Sequence, residues 1–134
     1  MEWYLKVMRE NYANFKGRAR RKEYWMFSLF FFLFAILGGF VMLLLYNIGG
    51  EAPGAIATIL FVIWYLAHLV PSLAVTVRRL HDTGKSGWLY LICLIPYIGG
   101  LILFIFTVIE GDNGDNEYGP DPKAIASSSE KLGM

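Results

Sequence analysis

The chain has 134 residues, 56% hydrophobic and 17% charged, with a formal net charge of +1. A mean hydropathy of +0.46 and three unbroken apolar runs exclude an ordinary soluble domain, which hides its apolar residues by periodic patterning. The runs leave too little chain for a second globular domain, and a single cysteine, Cys93, excludes an intramolecular disulfide.

Before the first run, Trp3, Tyr4, Val7, Met8, Tyr12 and Phe15 recur at helical spacing, with Glu2, Lys6, Arg9, Glu10 and Lys16 between them. This predicts a short amphipathic helix ended near Gly17. It lies in the headgroup region or packs on the ends of the spans. The basic run Arg18–Lys22 then suits anchoring against anionic lipid rather than nucleic acid, because it abuts an apolar run.

The first run, Tyr24–Ile48, carries no charged side chain and is long enough to cross a bilayer. It is far longer than the roughly 7–15-residue core of a secretory leader, so no leader is expected. In the second run, Gly54–Val77, the side chain that titrates nearest neutral pH is His68. Trp64, His68, Ser72, Thr76 and Arg79 follow at spacings of four, four, four and three, and line one stripe. Such a stripe turns toward other helices, and an ionisable group within it is a functional candidate, with a structural imidazole as the alternative. Pro71 should free the carbonyl of Ala67 for a hydroxyl or water.

The second connector, Arg78–Gly87, holds Arg78, Arg79, His81, Asp82 and Lys85, with Gly84 as a helix stop and Ser86 as a cap. Asp82-Thr83-Gly84 matches the aspartic-protease tripeptide, but that chemistry needs a second carboxylate sharing the proton. Zinc-ligand spacing and a nucleophile turn are both missing. No enzymatic activity, cofactor or metal is therefore expected.

Pro96 and Gly99–Gly100 interrupt the third run, Trp88–Ile109, where Cys93 is a small buried hydrophobe. One kinked span is favoured over a re-entrant hairpin, since each limb is too short to cross alone and a hairpin must shield its broken backbone. The tail from Glu110 to Pro122 is acidic and rich in turn residues. Calcium is not expected there, because Glu117 stands where an EF-hand needs glycine. Residues 124–134 have the composition of a disordered end.

Seven Lys and Arg precede the first run, none lie in the first connector, three in the second, and two in the tail. Cationic flanks stay cytoplasmic, which predicts N-terminus in, second connector in and C-terminal tail periplasmic. The expected fold is an all-α membrane protein. It has three transmembrane helices (24–48, 54–77 and 88–109) after an interfacial helix, in one domain spanning 1–123.

Gly17-Arg18 with Arg20 or Arg21 before Glu23-Tyr24-Trp25, then Arg78-Arg79-Leu80-His81-Asp82 with Gly84, Ser86, Gly87 and Trp88, then Asn116-Glu117-Tyr118-Gly119-Pro120-Asp121-Pro122, form three blocks in a fixed order. In these the chain resembles the YhaH-like family of small bacterial inner-membrane proteins, the domain of unknown function 805. The resemblance runs from about Trp3 to Lys123 and implies a bacterial inner-membrane location without a defined activity. The charge argument places the last block across the membrane from the other two. If the blocks formed one site, that topology would have to be wrong.

The expected role is a non-enzymatic protein that binds anionic headgroups or a membrane partner, including a second copy. Arg18, Arg21, Arg78, Arg79, His81 and Asp82 would form a cytoplasmic polar cluster, because arginine makes planar, bidentate contacts to phosphate or carboxylate. A small oligomeric transporter or channel, built on Trp64, His68, Ser72 and Thr76, is the alternative.

Overall fold

The two longest apolar runs fold as the two longest helices of the computed structural model, which describes residues 1–133. α1 covers Glu2–Arg9, α2 Arg21–Gly49 and α3 Glu51–Asp82. Gly50 alone links α2 to α3, at φ +85°, a left-handed conformation that a Cβ would disfavour. The two helices therefore pack as an antiparallel hairpin. Phe31 stacks on Trp64 at 5.3 Å, and Gly38 lies under Phe61, where a Cβ would come within 2.9 Å of the ring. None of the most apolar 18-residue stretch of α2 is buried by the rest of the chain, and only 11% of that of α3. Left in water, such surface would cost about 25 cal/mol per Å². Lipid is the solvent these helices suit.

α1 is shorter than the spacing of its aromatics predicted. It stops at Arg9, and residues 10–20 are irregular. Tyr4 and Val7 are buried, with Tyr4 stacked on Phe27 at 5.6 Å and edge-on to Phe34 at 5.4 Å. Glu2 in the first turn and Lys6 and Arg9 in the last oppose the helix dipole. Of the two expected placements, the one seen is packing against the α2–α3 pair.

The third run departs from the expected spanning helix. It forms a 3₁₀ segment, Gly87–Leu94, a turn, and α4, Gly99–Val108, which doubles back against the 3₁₀ segment. At Gly99 any Cβ would collide with the carbonyl of Ile92, so only glycine lets the limbs meet this closely. At 2.0 Å per residue for 3₁₀ and 1.5 Å for α, each limb is about 15 Å long, half the roughly 30 Å hydrocarbon core. The turn satisfies much of its own backbone: Ile95 N–H donates to Ile92 O, Ile98 N–H to Pro96 O and Gly99 N–H to Ile95 O, at 2.8–3.1 Å. This local bonding answers the shielding objection that favoured a single kinked span. Both limbs end beside the carboxyl end of α3, so the tail lies at the same end as α1 and not at the opposite one. The expected 88–109 span is therefore not one continuous helix, and the tail packs at the α1 end of the helix pair.

The tail is tied by a bridge in which Asn116 and Gly119 exchange backbone bonds of 3.1 Å. Beyond it, α5 (Pro122–Lys131) occupies the stretch whose composition suggested disorder. Asp121 caps it by accepting from Lys123 N–H, and Pro122 sits at its first position.

Gly99→Leu is expected to destabilise the protein by about 1–3 kcal/mol through overpacking at the hairpin. Gly100→Leu, facing open space, should stay within about 0.5 kcal/mol. Unfolding midpoints in mild detergent give the comparison.

Candidate functional site

At the end of the helix pair where all three sequence blocks meet, Asp82 is 2% exposed and receives two arginines. Arg18 Nε donates to Asp82 Oδ1 at 3.0 Å, and Arg79 Nη1 donates to Asp82 Oδ2. One carboxylate cannot balance two guanidiniums, and backbone carbonyls supply the remaining acceptors. Arg79, with no exposed surface, also donates to the carbonyls of Ala19 (3.3 Å), Thr107 (3.2 Å) and Ile109. Two of these terminate α4, where the helix dipole favours a cation. Arg18 donates to the carbonyls of Gly114 and Asp112, each at 2.6 Å. The tail is thus gripped by its backbone, which explains why its side-chain sequence gave no hint of the partner.

The Asp82 carbonyl accepts from Asp112 N–H at 2.6 Å. At Gly111 a Cβ would strike the Asp82 carboxylate. His81 donates from Nδ1 to Gly17 O at 2.9 Å, a tautomer assigned from its partner. Its ring stacks on Tyr118 at 4.0 Å and 1°. Asn116 Nδ2 donates to His81 O at 2.9 Å.

Of the six residues expected in the polar cluster, Arg18, Arg79 and Asp82 share one network, and His81 adjoins it through Gly17 and the tail. Arg78 turns away: it donates to Glu23 Oε1 at 2.6 Å and to Asn14 O at 3.1 Å, again buried. Arg21 stands outside, exposed, reaching Val108 O at 3.3 Å. With Arg18, Arg78 and Arg79 buried, their guanidiniums present no face to a headgroup. Sequence reasoning missed Glu23 as a partner and missed every carbonyl that accepts from an arginine, since a carbonyl is common to all residues and carries no sequence signal.

The stripe on α3 faces α1 and α2. His68, 4% exposed, donates from Nδ1 to Trp64 O at 2.8 Å and accepts at Nε2 from the Tyr4 hydroxyl. Both ring nitrogens therefore have hydrogen-bond partners within the fold. Thr76 donates to Ser72 O at 2.7 Å. The Ala67 carbonyl freed by Pro71 accepts from the Tyr12 hydroxyl. Among the described residues no group of three or more His, Cys, Asp or Glu is placed to hold a metal ion.

Asp82→Asn leaves two buried guanidiniums without a counter-charge and is expected to cost roughly 3–5 kcal/mol. Glu117→Gln, at an exposed position, should leave the melting temperature in detergent unchanged. Backbone N–H bonds from Gly114 and Lys123 hold the Asp121 carboxyl below its usual range, which lies near 3.9. Its contribution is present above about pH 4 and is lost as pH falls through the lower folded value. Amide exchange at Gly114 and Lys123, corrected for intrinsic rate, should accelerate only in that acid window, and Asp121→Asn should abolish the acid step.

A family described as "Protein of unknown function (DUF805)" matches residues 12–120. Inner membrane protein YhaH of Escherichia coli (strain K12) is 48% identical over 125 residues, covering 92% of this chain and 98% of its own. Inner membrane protein YhaI of the same strain is 46% identical over 123 residues, covering 92% and 97%. The uncharacterized protein YiiR is 29% identical, covering 84% and 88%. No solved structure matches. The matched span contains the buried Arg18–Asp82–Arg79 network and its tail, and the chain belongs to the DUF805 family, whose members YhaH and YhaI are inner membrane proteins.

Proposed function

We propose that this is a non-enzymatic inner-membrane protein that crosses the bilayer twice, keeps both termini cytoplasmic and engages anionic lipid headgroups with an exposed basic rim. The observation that carries it is the division of the cations into two populations. Arg18, Arg78 and Arg79 are consumed by internal partners. Lys6, Arg9, Lys16, Arg21 and Lys22 are exposed at the same end of the helix pair. An inward-facing network fixes the shape of the plate, and an outward-facing rim meets the membrane surface, where each cation near anionic lipid is worth about 1 kcal/mol.

The acidic tail does not oppose this orientation, because Asp and Glu contribute little to topology while Lys and Arg dominate it. Its ion pair Lys123–Glu110, at 2.8 Å, is exposed. The re-entrant limbs enter from the cytoplasmic side and turn near mid-bilayer at Tyr97. An oligomeric transporter would need a polar path through the helices, and the His68 imidazole is closed off by Tyr4 and Trp64.

A C-terminal fusion to a reporter that folds only in the cytoplasm is expected to be active, and activity of a periplasm-only reporter would overturn the topology. Lipid co-purified in mild detergent should be enriched in anionic phospholipid relative to the source membrane. Combined Lys6→Gln, Arg9→Gln, Lys16→Gln and Lys22→Gln should remove that enrichment. Unchanged lipid composition in this variant would refute headgroup binding by the rim.

A further inference from the structure

Three cations gather around one aromatic ring at the edge of the polar plate. Lys6 Nζ, Arg20 Cζ and Lys22 Nζ lie 5.3, 5.7 and 5.5 Å from the centre of the Trp3 ring. Cation–π attraction can hold each of them singly, but it does not offset the repulsion among three like charges collected on one ring. Among the described residues the cations in ion pairs are Arg18, Arg78, Arg79 and Lys123, and none of these three.

The cluster borders a cavity of about 430 Å³ that Trp3, Lys6 and Arg20 line on one side and Pro122 and Ile125 of α5 on the other. Glu23 also reaches this cavity, but its carboxylate is held by Arg78 at 2.6 Å. Arg20 Nε is buried without a hydrogen-bond partner, as is Nη2 of Arg78. A buried donor left unsatisfied is costly, more so when it is charged.

We infer that this cavity binds one phosphate group. Arg20 offers its planar fork of N–H donors, Lys6 adds a point charge in the lining, and Trp3 closes one wall, with Lys22 outside the lining beside the Trp3 ring. The site rests on the headgroup-binding rim and sharpens it, replacing diffuse attraction with a fixed subsite for a phosphate ester or a free phosphate. The tail helps to build it through α5, and Arg18 fixes the tail. The cavity is therefore complete only when the internal network is formed.

The test uses the full chain in phosphatidylcholine nanodiscs, titrated separately with inorganic phosphate and with short-chain phosphatidylglycerol. Arg20→Gln and Lys6→Gln, both in the lining, are each expected to weaken binding at least tenfold. Lys85→Gln, an equal loss of charge at an exposed position outside both the rim and the cavity, should stay within twofold. Arg20→Lys, which keeps the charge and loses the fork, should fall between. Unchanged circular dichroism and a monodisperse elution profile show that each variant is folded.

A response to inorganic phosphate identifies a soluble anion as the source. A response to the lipid alone identifies a headgroup. Equal weakening by Lys85→Gln and Arg20→Gln, or no binding of either probe, overturns the site. Anionic-lipid enrichment that persists in Arg20→Gln removes this subsite and leaves the rim standing. A rim without enrichment fails by itself, while Arg20-dependent phosphate binding would still uphold the cavity.

Discussion

Asp82 between Arg18 and Arg79 is the constraint from which the rest of this architecture follows. Buried ion pairs are seldom a net source of stability, because desolvation offsets the Coulomb attraction. Here the two arginines do something else: their surplus donors reach carbonyls from the N-terminal segment, the end of α4 and the tail. Each of these segments offers backbone carbonyls that accept from the two guanidiniums. A guanidinium with five donors in a fixed plane can join several of them at once, which a lysine could not. Specific placement of three chain segments is what the network supplies.

That placement decides how the third apolar run folds. Thr107 and Ile109 are drawn to Arg79, and Trp25 Nε1 donates to Thr107 O at 3.1 Å. The far end of the run therefore returns to the level where it began. Pro96 and Gly99 make the reversal feasible, the first by breaking helical continuity and the second by admitting the Ile92 carbonyl. A straight helix of the same composition would satisfy its hydropathy equally well. Tethering at both ends makes the difference.

Charge counting by segment treated all the cations near the helix ends as one population. The fold divides them into arginines facing inward with named acceptors and lysines and arginines facing out. Both populations bias topology in the same direction, but only the outward one can meet a ligand. Arg20 stands between the two, partly buried, where the internal network gives way to the exposed cations.

What the amino-acid order determined by itself was whatever depends on local composition. The lengths of α2 and α3 follow from uninterrupted apolar runs, the helix stop and cap at Gly84 and Ser86 from turn chemistry, and the freed Ala67 carbonyl from Pro71. The grouping of Arg18, Arg79 and Asp82 could be suspected from three polar blocks. Their geometry could not, nor could the switch of Arg78 to Glu23, the closure of His68 by Tyr4, or the return of the tail. Apart from Arg79–Asp82, these contacts join residues 28 or more positions apart, and many use backbone carbonyls, which look alike at every position. Only the folded chain could select among them, because burial makes an unpaired donor costly and so forces each arginine to find acceptors wherever the packing brings them.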